Sequence, residues 1–401
     1  MRSLVRQAME EGGWGMSSGL EYLPGRYAST EEIIDVAKVV GEFGGVYSSH
    51  QRNEFDGVLD ATQETIRIAE EAGVRGNSTH LKVARKEYWG GMEEAVQLIN
   101  DARARGVEVG ADMYPYHFAS GGPILPMTRN AGWAPFHLPD DMEPFADLRQ
   151  KLRDENLSNS ERQTLGDRYV DELADALSDE SKRERIRESV LVGRPHRPSA
   201  VALAGWDSYL IVVANKNADL IGQILSDVAE KQNRDPFDVA ADLVIDEPDM
   251  YVACGVMSED DMKLAMEQDW LMFSSDGGSW PIVKESDAPR ISHPRSFGSQ
   301  SRVLSRYVRE QKVLTLENAI RKMTSLPARF LRMKDRGLLL SGYKADVVIF
   351  DPENTRENAT HADARQYSTG THFVLVDGKI VIEGGEYHGA LHGKLLSPHS
   401  R

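Results

Sequence analysis

A unit of about thirty residues, a short strand-like run followed by a one-faced helix, recurs through the first part of this chain. The strand-like runs lie at 15–20, 45–50, 76–80 and 108–114. Between them the apolar residues keep helical spacing. Ser29 and Glu32 are placed as a capping box ahead of Ile33, Val36, Ala37 and Val40, and Gly44–Gly45 ends that helix. The next helix puts Leu59, Thr62, Ile66 and Ala69 on one face and stops at Gly73. A third uses Met92, Val96 and Ile99 and stops at Gly106. Strands alternating with one-faced helices predict an α/β fold built on a parallel sheet, either open or closed into a barrel. Residues 1–11 read as an amphipathic helix with Leu4, Val5 and Met9 on one side.

The regular period ends near Pro123 and does not return before Met250. Within that stretch, residues 140–188 are dense in Asp, Glu, Arg and Lys, which predicts solvent-facing helices of an inserted subdomain, either a plain insertion or a lid. A last strand candidate, 270–275, leads into Asp276, and a helix follows at 315–323. From about Arg336 the chain turns β-rich, with runs at 346–350, 372–376 and 379–383 split by Asp377–Gly378 and Gly384–Gly385 turns. The expected organisation is therefore barrel-type βα units at 1–121, an insertion at 122–250, the last strand and helices at 251–335, and a small β-domain at 336–401.

His50 and His80 each end a strand-like run and are flanked by small polar residues. Parallel α/β folds place their sites at those strand ends, and adjacent strands lie about 4.8 Å apart. Two imidazoles there could share a zinc-like ion; two unrelated hydrogen-bonding histidines would look the same in sequence. Asp276, between an apolar run and Gly277–Gly278, suits a metal ligand, a proton carrier or a turn residue. Lys82 lies two residues past His80, Tyr114 and Tyr116 flank Pro115 at another strand end, and Arg295 sits in a His293–Pro294–Arg295 loop. A Lys, a Tyr hydroxyl and an Arg fork around one pocket suit a carboxylate-bearing substrate. Cys254, the single cysteine, has no ligand-spaced partner and reads as structural, and spacing gives His293 no fixed role.

A formal net charge of −16 argues against unaided nucleic-acid binding. One cysteine permits no internal disulfide, and the sequence holds neither a membrane-length apolar run nor a signal core, so a cytoplasmic protein is expected. Walker, dinucleotide-glycine and Gly-x-Ser-x-Gly motifs are absent from the sequence.

The motifs Gly15-Met-Ser-Ser-Gly-Leu20, Tyr27-Ala-Ser-Thr-Glu-Glu32, Ser49-His-Gln-Arg52 and Thr79-His-Leu-Lys82 resemble those of one family. So do Ala111-Asp-Met-Tyr-Pro-Tyr116, Ser274-Ser-Asp-Gly277, His293-Pro-Arg295, Met323-Thr-Ser-Leu-Pro-Ala328 and Gly342-Tyr-Lys-Ala-Asp346. In that order they resemble the N-acyl-D-amino-acid deacylases (D-aminoacylases) of the amidohydrolase superfamily. The resemblance implies a partial TIM (β/α)8-type barrel containing strands four to eight, with the inserted helical subdomain and a C-terminal β-sandwich portion. It implies Zn2+ on His50 and His80, Asp276 as the general acid/base, and Lys82, Tyr114 and Arg295 on the substrate carboxylate. The reaction implied is hydrolysis of a small N-acylated amino acid.

Departures accompany the resemblance. The family's first-strand His-x-His, its early cysteine ligand, strands one to three and the N-terminal sandwich strands have no counterpart here. A shortened chain, a split enzyme completed by a complementary chain or homo-oligomer, and an inactive remnant are the forms expected from this, shortening foremost. A related cyclic amidohydrolase is the other reading; the Lys82, Tyr114 and Arg295 trio favours linear acylated amino acids.

Overall fold

The structure, a computed structural model, describes all residues except 120, 128–133, 137, 140, 155, 195–196, 281–292, 390 and 399–401. Five parallel strands form the central sheet, in the order Gly15–Gly19, Val46–His50, Arg75–Ser78, Val109–Met113 and Leu271–Phe273. Their register is staggered little. Gly19 faces His50, Ser49 faces Ser78, Ser78 faces Ala111 and Ala111 faces Leu271, so the C-terminal strand ends open on one rim.

The helices of the repeat form where the sequence places them. Thr30–Glu42 buries Ile33, Val36, Ala37 and Val40, and the Ser29 hydroxyl accepts from the Glu32 amide at 3.2 Å. Val58–Ala72 ends at Gly73, whose φ of +64° glycine adopts without strain. Gly41 is required for another reason: a Cβ there would lie 2.2 Å from the Ala72 carbonyl, so these two helices touch backbone to backbone. The N-terminal helix, Arg2–Glu10, departs from its expected face, since Met9 is buried while Leu4 is exposed. Only the Met9 side meets the following helix.

The charge-dense insertion is not simply solvated. Its helices Phe145–Leu152, Asn159–Ser178 and Glu180–Leu191 bury Phe145, Leu148, Tyr169, Leu173, Ile186 and Val190. These join one apolar cluster with Ile66, Met113 and Phe273 of the βα units. The charges lie outside that stripe, as in the Arg187–Asp235 pair at 2.9 Å. Gly122–Pro123 and Tyr209–Val213 also form a three-stranded sheet with Tyr251–Cys254, which lies past the expected boundary at 250, and the periodicity reading passed over the apolar run at 209–213. Cys254 is buried within that sheet, and burial pushes its thiol up to about 12, leaving an unreactive group.

The tail forms a four-stranded antiparallel sheet, Val347–Phe350, Thr371–Val376, Lys379–Glu383 and Glu386–Tyr387. Asp377 and Gly378, with φ of +50° and +78°, make the first hairpin turn. Among the described residues no helix is long and apolar enough to cross a membrane.

Candidate active site

Two neighbouring strand ends deliver the histidines. His50 is the last residue of Val46–His50, and His80 follows Ser78 by two residues with a φ of +40°. A histidine in the left-handed region is held by its surroundings. Here Asp112 does the holding: its Oδ1 accepts from the His80 amide at 3.1 Å and from Ser274 Oγ at 2.5 Å, and its Oδ2 from Asn77 at 2.6 Å.

The side chains then meet as a chain of contacts. Lys82 Nζ lies 2.6 Å from Glu54 Oε1 and 2.6 Å from His80 Nδ1. His80 Nε2 lies 2.9 Å from His50 Nδ1, and His50 Nε2 is 3.0 Å from Glu21 Oε2. An ammonium has donors only, so with Lys82 charged His80 accepts at Nδ1 and carries its proton on Nε2. That proton points to His50 Nδ1, and His50 in turn donates from Nε2 to Glu21. Glu54 is buried, which alone would raise its pKa; the adjacent Lys82 ammonium holds it down at about 2.

Asp276 sits in a second group. Its φ is +46°, and its Oδ2 is 2.7 Å from Arg295 Nη1. Arg295 is not in a loop, as its sequence neighbours suggested. It opens the Arg295–Arg302 helix, which Pro294 starts. Its guanidinium lies over the Tyr114 ring, 4.8 Å from the centroid, with the Lys82 ammonium 5.9 Å from the same centroid. Tyr114 is buried, and burial pushes its hydroxyl well above the usual range, so it stays a donor at neutral pH. Tyr22 links the groups. Its ring packs 4.6 Å from His50, and burial, then Glu21, Glu54 and Asp276, raise its pKa to about 12.

His50, His80, Lys82, Tyr114, Arg295 and Asp276 therefore gather at one rim, with Asp276 on Arg295 rather than on the imidazoles. Tyr116 is drawn aside, its hydroxyl donating to Glu357 at 2.8 Å. His293 supports the rim: its Nε2 is 2.8 Å from the Phe118 carbonyl and its Nδ1 accepts from the Arg295 amide at 3.1 Å. Sequence reasoning missed Glu21 and Glu54. Both follow quoted motifs by one or two residues, and Glu54 stands four after His50, the one spacing that could have signalled it.

Ligand atoms of His50, Glu54 and His80 all lie within 4.8 Å of one another. Two imidazoles and a carboxylate are a donor set that suits zinc-class ions with a further position open. Neighbouring ligands of a tetrahedral ion with bonds of roughly 2.0–2.1 Å stand about 3.3 Å apart, close to the imidazole spacing here. The residues fit such an ion.

The amidohydrolase family model matches residues 227–382. A D-aminoacylase of Alcaligenes xylosoxydans xylosoxydans is 28% identical over 99% of this chain and 64% of its own length. The chain is similar to the D-aminoacylases. An N-acyl-D-glutamate deacylase of the same organism is 29% identical over 94% of this chain and 60% of its own. Among solved structures, the N-acyl-D-glutamate deacylase of Bordetella bronchiseptica, complexed with zinc and a phosphonate mimic of the tetrahedral intermediate, superposes with a TM-score of 0.63 at 27% identity. That superposition covers 95% of this chain and 62% of the other. The chain thus spans about three fifths of the length of these D-aminoacylase relatives.

Proposed function

We propose that this chain hydrolyses the amide bond of N-acyl-D-amino acids, with a zinc-class divalent ion held by His50, His80 and Glu54. The meeting of these three side chains at adjacent parallel strand ends carries the reading. The deacylase similarity supports it, and supports taking the five parallel strands as strands four to eight of a (β/α)8-type barrel. On this reading the tail sheet belongs to a flanking β-sandwich, and the protein works in the cytoplasm.

A bound ion supplies Lewis-acid charge for the acyl oxygen. The chain's own groups do the rest. Asp276, oriented by Arg295, takes a proton from the attacking water as the O–C bond forms, then passes it to the nitrogen as the C–N bond breaks. Tyr114, kept protonated, donates a hydrogen bond into the pocket. The Arg295 guanidinium has five donors, so binding Asp276 leaves donors for the substrate carboxylate.

The test pairs zinc content with acetate release from N-acetyl-D-glutamate and other N-acetyl-D-amino acids. Asp276→Asn should lower turnover by about 10²-fold or more while zinc content holds. Zinc-loaded protein with no acyl release, or full activity in Asp276→Asn, would remove the reading and favour an inactive remnant of the scaffold.

A further inference from the structure

The opposite end of the parallel sheet holds a cavity of about 1270 Å³. It lies where the strands begin, at Trp14, Gly45 and Arg75, and the C-terminal segment at 392–398 closes its far side. Six Lys or Arg side chains line it against three Asp, a local excess of positive charge in a chain whose formal net charge is −16. Part of that charge is neutralised in place, since Arg336 pairs with Asp346 and Lys394 with Asp377 at 3.2 Å.

Arg75 is different. It is 6% exposed, and its Nη2 donates to the Gly44 carbonyl at 2.5 Å. Its Nε and Nη1 are buried with no hydrogen-bond partner among the described residues. Two orphaned guanidinium donors in one buried plane are costly unless a ligand or water meets them. Arg332 approaches the same glycine: a Cβ on Gly44 would lie 3.2 Å from Arg332 Nη1. Burial, then the nearness of Arg332, lowers the Arg75 pKa, as expected of like charges packed together. Arg332's carboxylate partner, Glu108 at 2.9 Å, is an exposed pair that binds it weakly.

We propose that Arg75 and Arg332 form a binding site for a phosphate-class oxyanion at the N-terminal end of the sheet, remote from His50 and His80. Guanidinium groups donate strongly to the oxygens of such an anion, and Arg75, which lines the cavity, keeps Nε and Nη1 without partners among the described residues. The cavity exceeds what one phosphate fills, so the same chemistry accommodates inorganic phosphate or the phosphoryl group of a small phosphomonoester.

Calorimetric titration of the full chain with inorganic phosphate, and separately with β-glycerophosphate, tests this against chloride at matched ionic strength. Saturable one-site binding is expected, weakened at least tenfold in Arg332→Ala and unchanged in Arg67→Ala, a surface arginine paired elsewhere with Glu31 and Glu71. Arg332 is surface-exposed, so its removal leaves the fold intact even where Arg75→Met does not express. Tighter binding of β-glycerophosphate assigns the site to a phosphomonoester; equal affinity assigns it to the free anion. Heats no larger than the chloride blank, or equal affinity in Arg332→Ala, overturn the proposal. Neither result bears on the deacylase reading, which concerns the opposite rim.

Discussion

Lys82 poses the sharpest question at the level of single residues. Its ammonium lies 2.6 Å from both Glu54 and His80, so a cation already occupies the ground between two groups assigned to an ion. Two positive charges a few ångströms apart in a buried site repel each other strongly. Removing one should favour the other. Lys82→Met is therefore expected to tighten zinc binding by about tenfold or more, measured by competition with a chelating dye, while lowering turnover because the substrate loses a cationic contact. An unchanged or weaker zinc affinity would mean that Lys82 organises the ligands instead of competing with the ion. The two histidines were legible in the sequence because each closes a strand between small polar residues. Glu54 and Glu21 were not, because in a chain with 63 Asp and Glu residues a loop carboxylate looks like any surface acid. Their role emerges only once the His50 ring is placed between them.

At the scale of elements, the repeat was readable because period and punctuation agreed: capping serine, one-faced apolar spacing, stopping glycine. The insertion was not, because its apolar stripe is sparse among charges and its strand at 209–213 lacks alternation. A further feature escaped for the same reason. Lys322, on the helix Leu316–Met323, looks like a surface lysine but is fully buried, donating to the carbonyls of Gln268 and Leu271 at the start of the last parallel strand. Burial, then neighbouring Arg321, lowers its pKa from 10.5 to about 8. Between those values the unfolded chain binds the proton that the folded chain has released, so this group's contribution to stability rises as pH rises from about 8 to 10.5. Below pH 8 both states carry the charge, and its burial penalty is felt in full. The difference in unfolding free energy between the parent and Lys322→Met, followed by urea denaturation from pH 7 to 10.5, should shift toward the parent with rising pH. A constant difference would show that the lysine titrates normally.

Across the whole molecule, burial is uneven. One apolar cluster runs from the βα units through the inserted helices, taking in Ile66, Met113, Tyr169, Phe237 and Phe273. Elements that share a core lose their packing together. The tail sheet has little such share, with Phe350 packed against that cluster but only partly buried. Val348, Ile349 and Ile380 are 55%, 49% and 44% exposed, and among its described strand residues only Val381 is buried. It is tied to the rest chiefly by polar contacts, such as Glu357 with Arg302 and Tyr116, and Arg309 with the Thr355 carbonyl at 2.8 Å. Polar ties exchange readily with water and contribute about 1 kcal/mol each, whereas opening the shared core exposes many apolar side chains at once. Native-state hydrogen exchange should therefore find amides of Thr371–Val376 and Lys379–Glu383 opening at clearly lower free energy than those of Val46–His50 and Val109–Met113. Amides of the helix Asn159–Ser178 should exchange with the parallel strands. If that helix instead opened with the tail, the insertion would be a separately folding lid, and the continuity of its core with the strands beneath the site would count for little.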